Sequence, residues 1–321
     1  RSTLFPYTTL FRSRTGRSAL PEATIYVLDG LLPGSGGHFK AHRLRPVLGS
    51  IAEIEEWSAF CGAEGDKRPA AIHIDTGMNR LGLKAEEQRH LLANRKLMNG
   101  FGLSLIMSHL ACADTPEHPK NAAQQADFTE FCTQFRRTPL SLANSAGIFL
   151  GADFHFDLVR PGVALYGGNP FGVRPNPMAP VVRLYGRILQ IGEADAGETV
   201  GYGASLELQR RTRYATVSVG YADGYFRKLG SSDGHRGAIG RLYGRPLPIL
   251  GRVSMDLAVF DVTDLPEASA QRGGFIELIG PHFTVDDAAG LAGTIGYEIL
   301  TSLGSRTTRV YLGAGGAARS G

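Results

Sequence analysis

The stretch Ala71–Leu83, AIHIDTGMNRLGL, constrains this chain more than any other. Ala71, Ile72 and Ile74 read as a buried strand, and Asp75, Thr76 and Gly77 end it with turn chemistry. The glycine-flanked loop that follows carries one arginine, Arg80. A charged group held at the mouth of a parallel strand is how α/β barrels display working side chains. Taken alone, Arg80 is a surface arginine on a βα loop, so its meaning depends on whether the pattern repeats.

It repeats. Residues 24–29 (TIYVLD) and Leu44–Leu48 read as strands, and Ser50 is suited to cap a helix over Ile51–Cys61. After the Ala71–Asp75 strand come a helix over Ala85–Leu97, a strand over Leu103–Ser108 and a helix over Asn121–Phe135. That last helix has Phe128, Phe131, Cys132 and Phe135 at helical spacing. Leu140–Ala143 and Phe156–Val159 are the fifth and sixth strands, leading into Asn144-Ser145 and Arg160. Strands alternating with helices predict a parallel sheet, and no Gly-x-Gly-x-x-Gly follows the first strand to indicate a dinucleotide fold. A TIM-type α/β barrel needs eight strands, so two N-terminal βα units, about 60–70 residues, are expected to be missing before residue 24. Six strands would also leave two exposed edges.

Asn169–Pro180 is rich in proline and marks a linker. Beyond it, short strands over Val181–Gln190, Ala215–Val219, Leu247–Leu250, Leu257–Asp261 and Phe275–Ile279 alternate with turns such as Asp223-Gly224, which predicts an all-β C-terminal domain. A late helix is expected over Val285–Leu291, and a frayed tail from Gly313. Thr3–Ser13, TLFPYTTLFRS, has no periodicity and resembles the conceptual translation of a sequencing-adapter oligonucleotide. The expected layout is therefore artefact sequence over 1–13, a partial barrel over 14–176, a β-strand domain over 177–313 and a tail over 314–321.

Composition narrows the function classes. The formal net charge of +4 comes from scattered basic residues with no dense basic run, which argues against nucleic acid as a partner. No apolar run approaches the roughly 18 residues of a membrane helix, so no membrane partner is expected. Three cysteines, Cys61, Cys112 and Cys132, form no pair motif and suggest reduced thiols in a cytoplasmic compartment. His38 and His42 have zinc-like spacing without the glutamate, and His109, Asp114 and His118 read as a loop cluster, so no metal is expected. The groups at strand ends are Arg80, His109, Asn144-Ser145, Arg160 and Gly162. Hydroxyl, amide and arginine together suit a small anionic molecule carrying phosphate and carboxylate.

Eight collinear motifs then carry a specific resemblance: DTGMNRLG (Asp75–Gly82), SHLACAD (Ser108–Asp114), ANSAG (Ala143–Gly147), RPGVALYG (Arg160–Gly167), VGYGASL (Val200–Leu206), SVGYADGY (Ser218–Tyr225), GRVSMD (Gly251–Asp256) and TIGYE (Thr294–Glu298). In order and spacing they resemble the alanine racemases, fold-type III pyridoxal-phosphate enzymes. The resemblance implies interconversion of L- and D-alanine for cell-wall precursors, pyridoxal 5'-phosphate as cofactor, and a cytoplasmic homodimer with shared active sites. It makes Tyr202 the base for L-alanine, and Arg80 and Met255 substrate-binding residues. Cofactor binding falls to His109, Asn144, Ser145, Arg160, Gly162, Val163 and Tyr297, with Arg160 facing the pyridine nitrogen. Without the resemblance, Tyr202 is a strand tyrosine, His109 a core histidine and Met255 core filler. A racemase of another amino acid such as serine, a decarboxylase of the same fold, and a non-catalytic pyridoxal-phosphate-binding protein are the competing readings.

Two departures from the family pattern stand out. The position that is often a carbamylated lysine, two before Asp75, is His73. The family's Schiff-base lysine, on the first barrel strand in a motif of the type VVKANAYGHG, has no counterpart among Lys40, Lys67, Lys84, Lys96, Lys120 and Lys228. Of the family's two bases, this chain is expected to carry only the tyrosine.

Overall fold

The computed structural model describes residues 15–172 and 175–312, and the backbone of 318–320. The adapter-like stretch through Ser13 lies outside the described residues. The chain divides into two units, the second holding Val163–Asn169 together with the chain from Pro175 on.

The first unit is a parallel sheet crossed by helices: β1 (Tyr26–Val27), α1 (Gly36–Ala41), β2 (Arg45–Leu48), α2 (Ile51–Glu64), β3 (Pro69–His73), α3 (Ala85–Ala93), β4 (Gly102–Met107), α4 (Lys120–Cys132) and β5 (Leu140–Ser141). The five strands lie in sequence order, each parallel to its neighbour. Strands buried on both faces read as continuous apolar runs, and β3 is buried from Ala70 to His73. Side-chain alternation then sorts the residues. Ala70, Ile72, Ile106 and Leu142 join Trp57 and Phe128 of the helices in one cluster. Val47, Ala71, Leu105 and Met107 form another. His73 follows Ala71 at period two, so it shares that second face.

Helix ends depart from the sequence reading for local reasons. Ser50 caps α2 by accepting the Glu53 N–H at 3.2 Å, as expected. The helix runs past Cys61 to Glu64, because Gly65, at φ 67°, is the residue that closes it in the left-handed conformation. Helix α3 stops at Ala93, where the Asn94 side chain donates to the His90 carbonyl, and a 3-10 turn takes over at Arg95–Gly100. The sixth expected strand, Phe156–Val159, does not form. Phe156 has φ 48°, outside the extended region, and only an isolated parallel bridge joins Asn144 and Arg160. The segment still covers the β5 edge: Leu158 N–H donates to the Leu140 carbonyl and Asp157 accepts the Leu140 N–H at 2.8 Å.

The second unit is built on a closed antiparallel barrel. Its strands are β6 (Leu184–Ala194), β7 (Thr212–Ser218), β8 (Ile239–Leu242), β9 (Arg245–Leu250), β10 (Leu257–Asp261) and β11 (Phe275–Ile279), in the order β10-β7-β6-β11-β8-β9 with β9 returning to β10. Closure leaves no edge. Strand β8 is absent from the sequence reading, since IGRL is short and has a glycine and an arginine inside it. The Tyr243-Gly244 turn that joins β8 to β9 has positive φ at both residues, which matches the twist of a tight hairpin. Ala215, Val217, Phe260, Ile276 and Leu278 fill the interior. Helices α5 (Val285–Ala292) and α6 (Gly296–Ser302) follow, and β12 (Val310–Leu312) pairs antiparallel with β13 (Ala318–Ser320), where a frayed tail is expected. Among the described residues, no helix is long and apolar enough to cross a membrane.

Candidate active site

The loop after β3 is shaped by Asp75. Its carboxylate accepts the backbone N–H groups of Gly77, Met78 and Asn79 at 2.8–3.1 Å and pairs with Lys84. Burial works to raise the Asp75 pKa, but the Lys84 hydrogen bond and the Gly77 and Asn79 amides outweigh it and hold the carboxyl below its ordinary value. Gly82 closes the loop at φ 105°, and a Cβ there would lie 2.8 Å from the Asp75 nitrogen. The result is a tight, charge-anchored loop with Arg80 exposed at its tip and no described hydrogen bond on its guanidinium.

Arg160 is the most tightly held of the strand-end groups. Its Nη2 donates to the carbonyls of Ser108 at 2.7 Å and Leu142 at 3.2 Å, and its Nη1 donates to Ser141 Oγ at 2.5 Å. Ser141 Oγ in turn donates to the Leu158 carbonyl. No described hydrogen bond engages Nε. Burial lowers the Arg160 pKa to about 10, which leaves it charged at neutral pH. His109, at the end of β4, is pushed down to about 4 by burial and then by Arg160, Arg80 and His73. His73 is also at about 4, through burial first and then Arg160, although Asp75 pulls the other way. Two neutral imidazoles thus lie within electrostatic reach of two guanidinium groups, and the carboxylate that acts on His73, Asp75, is already committed to Lys84 and the loop amides. His73 supplies no negative charge where the family pattern often has a carbamate.

Ser145 is buried, and its Oγ accepts the Gly162 N–H at 2.7 Å. Asn144 Oδ1 accepts the Gly147 N–H at 2.9 Å, so its side chain shapes the turn that presents Ser145. In the first unit the structure therefore gathers Arg80, His109, Asn144, Ser145, Arg160 and Gly162 at the C-terminal ends of the parallel strands.

The remaining residues sit on turns and a helix of the second unit. Tyr202 lies between Gly201 and Gly203, both at positive φ, and is 73% exposed. The Arg252 Nη1 lies 2.7 Å from where a Gly203 Cβ would be. Met255 is 53% exposed; its carbonyl accepts the Ala222 N–H and stands 2.1 Å from the position of a Gly220 Cβ. Any side chain at residue 220 would displace the Met255 turn. Val163 is buried at the start of a 3-10 turn, and Tyr297, on α6, is 44% exposed. Among the described residues, no group of three or more His, Cys, Asp or Glu side chains is placed to hold a metal ion.

The family models for the alanine racemase N-terminal and C-terminal domains match residues 13–170 and 181–311. The chain belongs to the alanine racemase family. It is 49% identical over 303 residues to the alanine racemase of Methylobacterium sp. (strain 4-46), covering 94% of this chain and 82% of that protein. It is 47% identical over 310 residues to the biosynthetic alanine racemase of Agrobacterium fabrum, covering 95% and 79%. The crystal structure of the Bartonella henselae alanine racemase, which carries covalently bound pyridoxal phosphate, superposes with a TM-score of 0.85 at 40% identity, over 94% of this chain and 83% of that one. The fold of the alanine racemases is the one described above, an α/β unit of TIM-barrel type followed by a β domain.

The residues present fit the ring side of such a cofactor. Arg160 is held through both Nη atoms and would offer Nε, a donor only, to a ring nitrogen, with neutral His109 within its electrostatic reach. The covalent anchor is another matter. Lys40, Lys67, Lys84, Lys96, Lys120 and Lys228 lie on helices, 3-10 turns or loops; none is on a strand, and Lys84, on the loop after β3, is paired with Asp75.

Sequence reasoning missed the residues that hold these groups. Ser141 and Ser108 anchor Arg160, and Gln124, fully buried on α4, bonds the loops after β3 and β4. One signal was available. Asn121 and Gln124 occupy the same helical stripe as Phe128 and Phe131, and amides on an apolar stripe need partners.

Proposed function

We propose that this protein serves the pyridoxal 5'-phosphate-dependent interconversion of L- and D-alanine that supplies D-alanine for peptidoglycan, as a cytoplasmic homodimer, and that the residues of this chain carry the L-alanine half of that reaction. The observation that carries the reading is Arg160, half-buried, charged and fixed by Ser141, Ser108 and Leu142 at the C-terminal ends of the parallel strands. The bound cofactor supplies an electron sink that acidifies the α-hydrogen of the amino acid. A guanidinium with a pKa of about 10 has no proton to hand over at neutral pH, so Arg160 keeps the ring nitrogen unprotonated and the sink weak. A weak sink favours return of the proton over side reactions. His109, kept neutral first by burial and then by Arg160, backs the ring without adding charge.

Arg80, without a described partner, takes the substrate carboxylate. Ser145, presented by the Asn144 turn, acts with the backbone at Gly162 and Val163 and with Tyr297 to receive the cofactor phosphate. Tyr202 removes the α-proton from L-alanine, and Met255 lines the substrate side. The exposure of Tyr202 and Met255 supports a site completed across a homodimer, with these two residues reaching into the neighbouring subunit. Three unpaired cysteines support a reducing, cytoplasmic setting.

The test isolates the tyrosine's half of the reaction. In D2O with pyridoxal phosphate, the chain should exchange the α-hydrogen of L-alanine, followed by proton NMR, faster than pyridoxal phosphate alone. Tyr202→Phe should remove that acceleration, a loss of at least about 100-fold for a positioned base. With no lysine at a strand end, exchange should proceed on one face, without D-alanine accumulating above background on chiral chromatography. No acceleration by the unsubstituted chain would overturn the reading.

A further inference from the structure

Gln124 has the geometry of a residue that does more than fill space. It is 0% exposed on α4, in a stripe it shares with Phe128 and Phe131. An apolar side chain there would pack without desolvating an amide. Instead, both ends of the amide are used. Its Oε1 accepts the Ala111 N–H at 2.8 Å, and its Nε2 donates to the His109 carbonyl at 2.9 Å and to Thr76 Oγ1 at 3.1 Å. Thr76 Oγ1 shares a hydrogen bond with Ser108 Oγ at 2.8 Å, and the Ser108 carbonyl accepts from Arg160 at 2.7 Å.

One buried amide thereby ties the loop that carries Arg80 to the loop that carries His109, one bond away from the anchor of Arg160. Helix α4 adds a second tie, because Asn121 Nδ2 donates to the carbonyls of Cys112, Thr115 and Pro116 farther along the same loop. We propose that Gln124 is a positioning residue that holds His109, and through Thr76 and Ser108 also Arg160, in register against the cofactor ring. The assignment rests on the reading of His109 and Arg160 as ring-flanking groups.

A loop staple and a positioning residue differ in what they move. A staple affects stability alone, whereas a positioning residue affects the environment of the imidazole. That environment consists of Arg160, Arg80 and His73, with Asp75 and Lys84 acting on His73. The experiment follows the His109 ring by carbon-edited NMR titration of the full, cofactor-free chain, with its signal assigned by loss in His109→Asn. Gln124→Met keeps the volume and adds no charge. The expected result is a rise of the His109 midpoint from about 4 toward the ordinary 6.5, by about one unit or more, with the histidines outside this patch unmoved.

If Gln124→Met does not unfold cooperatively, Thr76→Val replaces it as the deciding variant, with a smaller shift of the same sign expected. A folded deciding variant in which His109 titrates as in the unsubstituted chain overturns the proposal, whatever happens to its melting temperature. The measurement needs no racemisation. A shifted His109 without α-hydrogen exchange in the unsubstituted chain would count against the functional reading alone. An unshifted His109 with exchange intact would count against Gln124 alone.

Discussion

His73 and His109 make the chain's stability depend on pH. Each ring stays neutral in the folded chain down to about pH 4 but takes a proton near 6.5 when unfolded. Between those values the unfolded chain binds more protons, so stability is complete above about 6.5, falls as the pH drops through the window, and levels off below about 4. Between pH 7 and pH 5 the loss should be on the order of 2 kcal/mol per ring, an upper figure since the two rings also oppose each other's charging. Urea midpoints at the two pH values measure it; identical midpoints would contradict the neutral pair. Gly82 is the other residue whose chemistry is forced. Its φ is 105°, and the Asp75 nitrogen lies 2.8 Å from where an added Cβ would sit. Gly82→Ala should therefore cost about 2 kcal/mol or more on urea unfolding and loosen the Arg80 loop.

At the scale of elements, caps and turns decide where segments stop. Thr284 and Asp287 form a reciprocal capping box on α5: the Asp287 N–H donates to Thr284 Oγ1 at 3.1 Å, and the Thr284 N–H donates to Asp287 Oδ2 at 2.7 Å. Thr284→Ala should therefore destabilise the chain by about 1 kcal/mol in thermal or urea melts; an unchanged melt would mean that packing alone holds this helix. The same logic explains which elements were legible in advance. Strands β2, β3 and β4 announce themselves as apolar runs, and α2 by its Ser50 cap. Phe156–Val159 has strand-like composition, but the left-handed turn at Phe156 and the side-chain bonds of Asp157 and Ser141 take the place of a ladder. Strand β8 has the reverse problem, since IGRL becomes a strand only by lying between β9 and β11.

For the whole molecule, the proposed dimer makes a prediction that neither unit makes by itself. Sedimentation equilibrium should report twice the mass of one chain. If Tyr202 and Arg160 of one site come from different subunits, mixing Tyr202→Phe and Arg160→Ala chains should restore α-hydrogen exchange to about a quarter of the unsubstituted level, because half of randomly reassorted dimers carry one intact site of two. Exchange that stays at the level of the separate variants would place both residues in one subunit's site.

The order of strand-end groups, Arg80, His109, Asn144-Ser145 and Arg160, and the family they belong to are legible in the chain because each follows an apolar run and sits in a short, specific motif. Local chemistry is enough for that. What surrounds those groups was decided only by the fold. The lowered pKa of both histidines, the three-point anchoring of Arg160 and the bridging amide of Gln124 depend on bringing the ends of β3, β4 and β5 together with α4. Burial and charge proximity are sums over neighbours distant in sequence, and no local pattern encodes them.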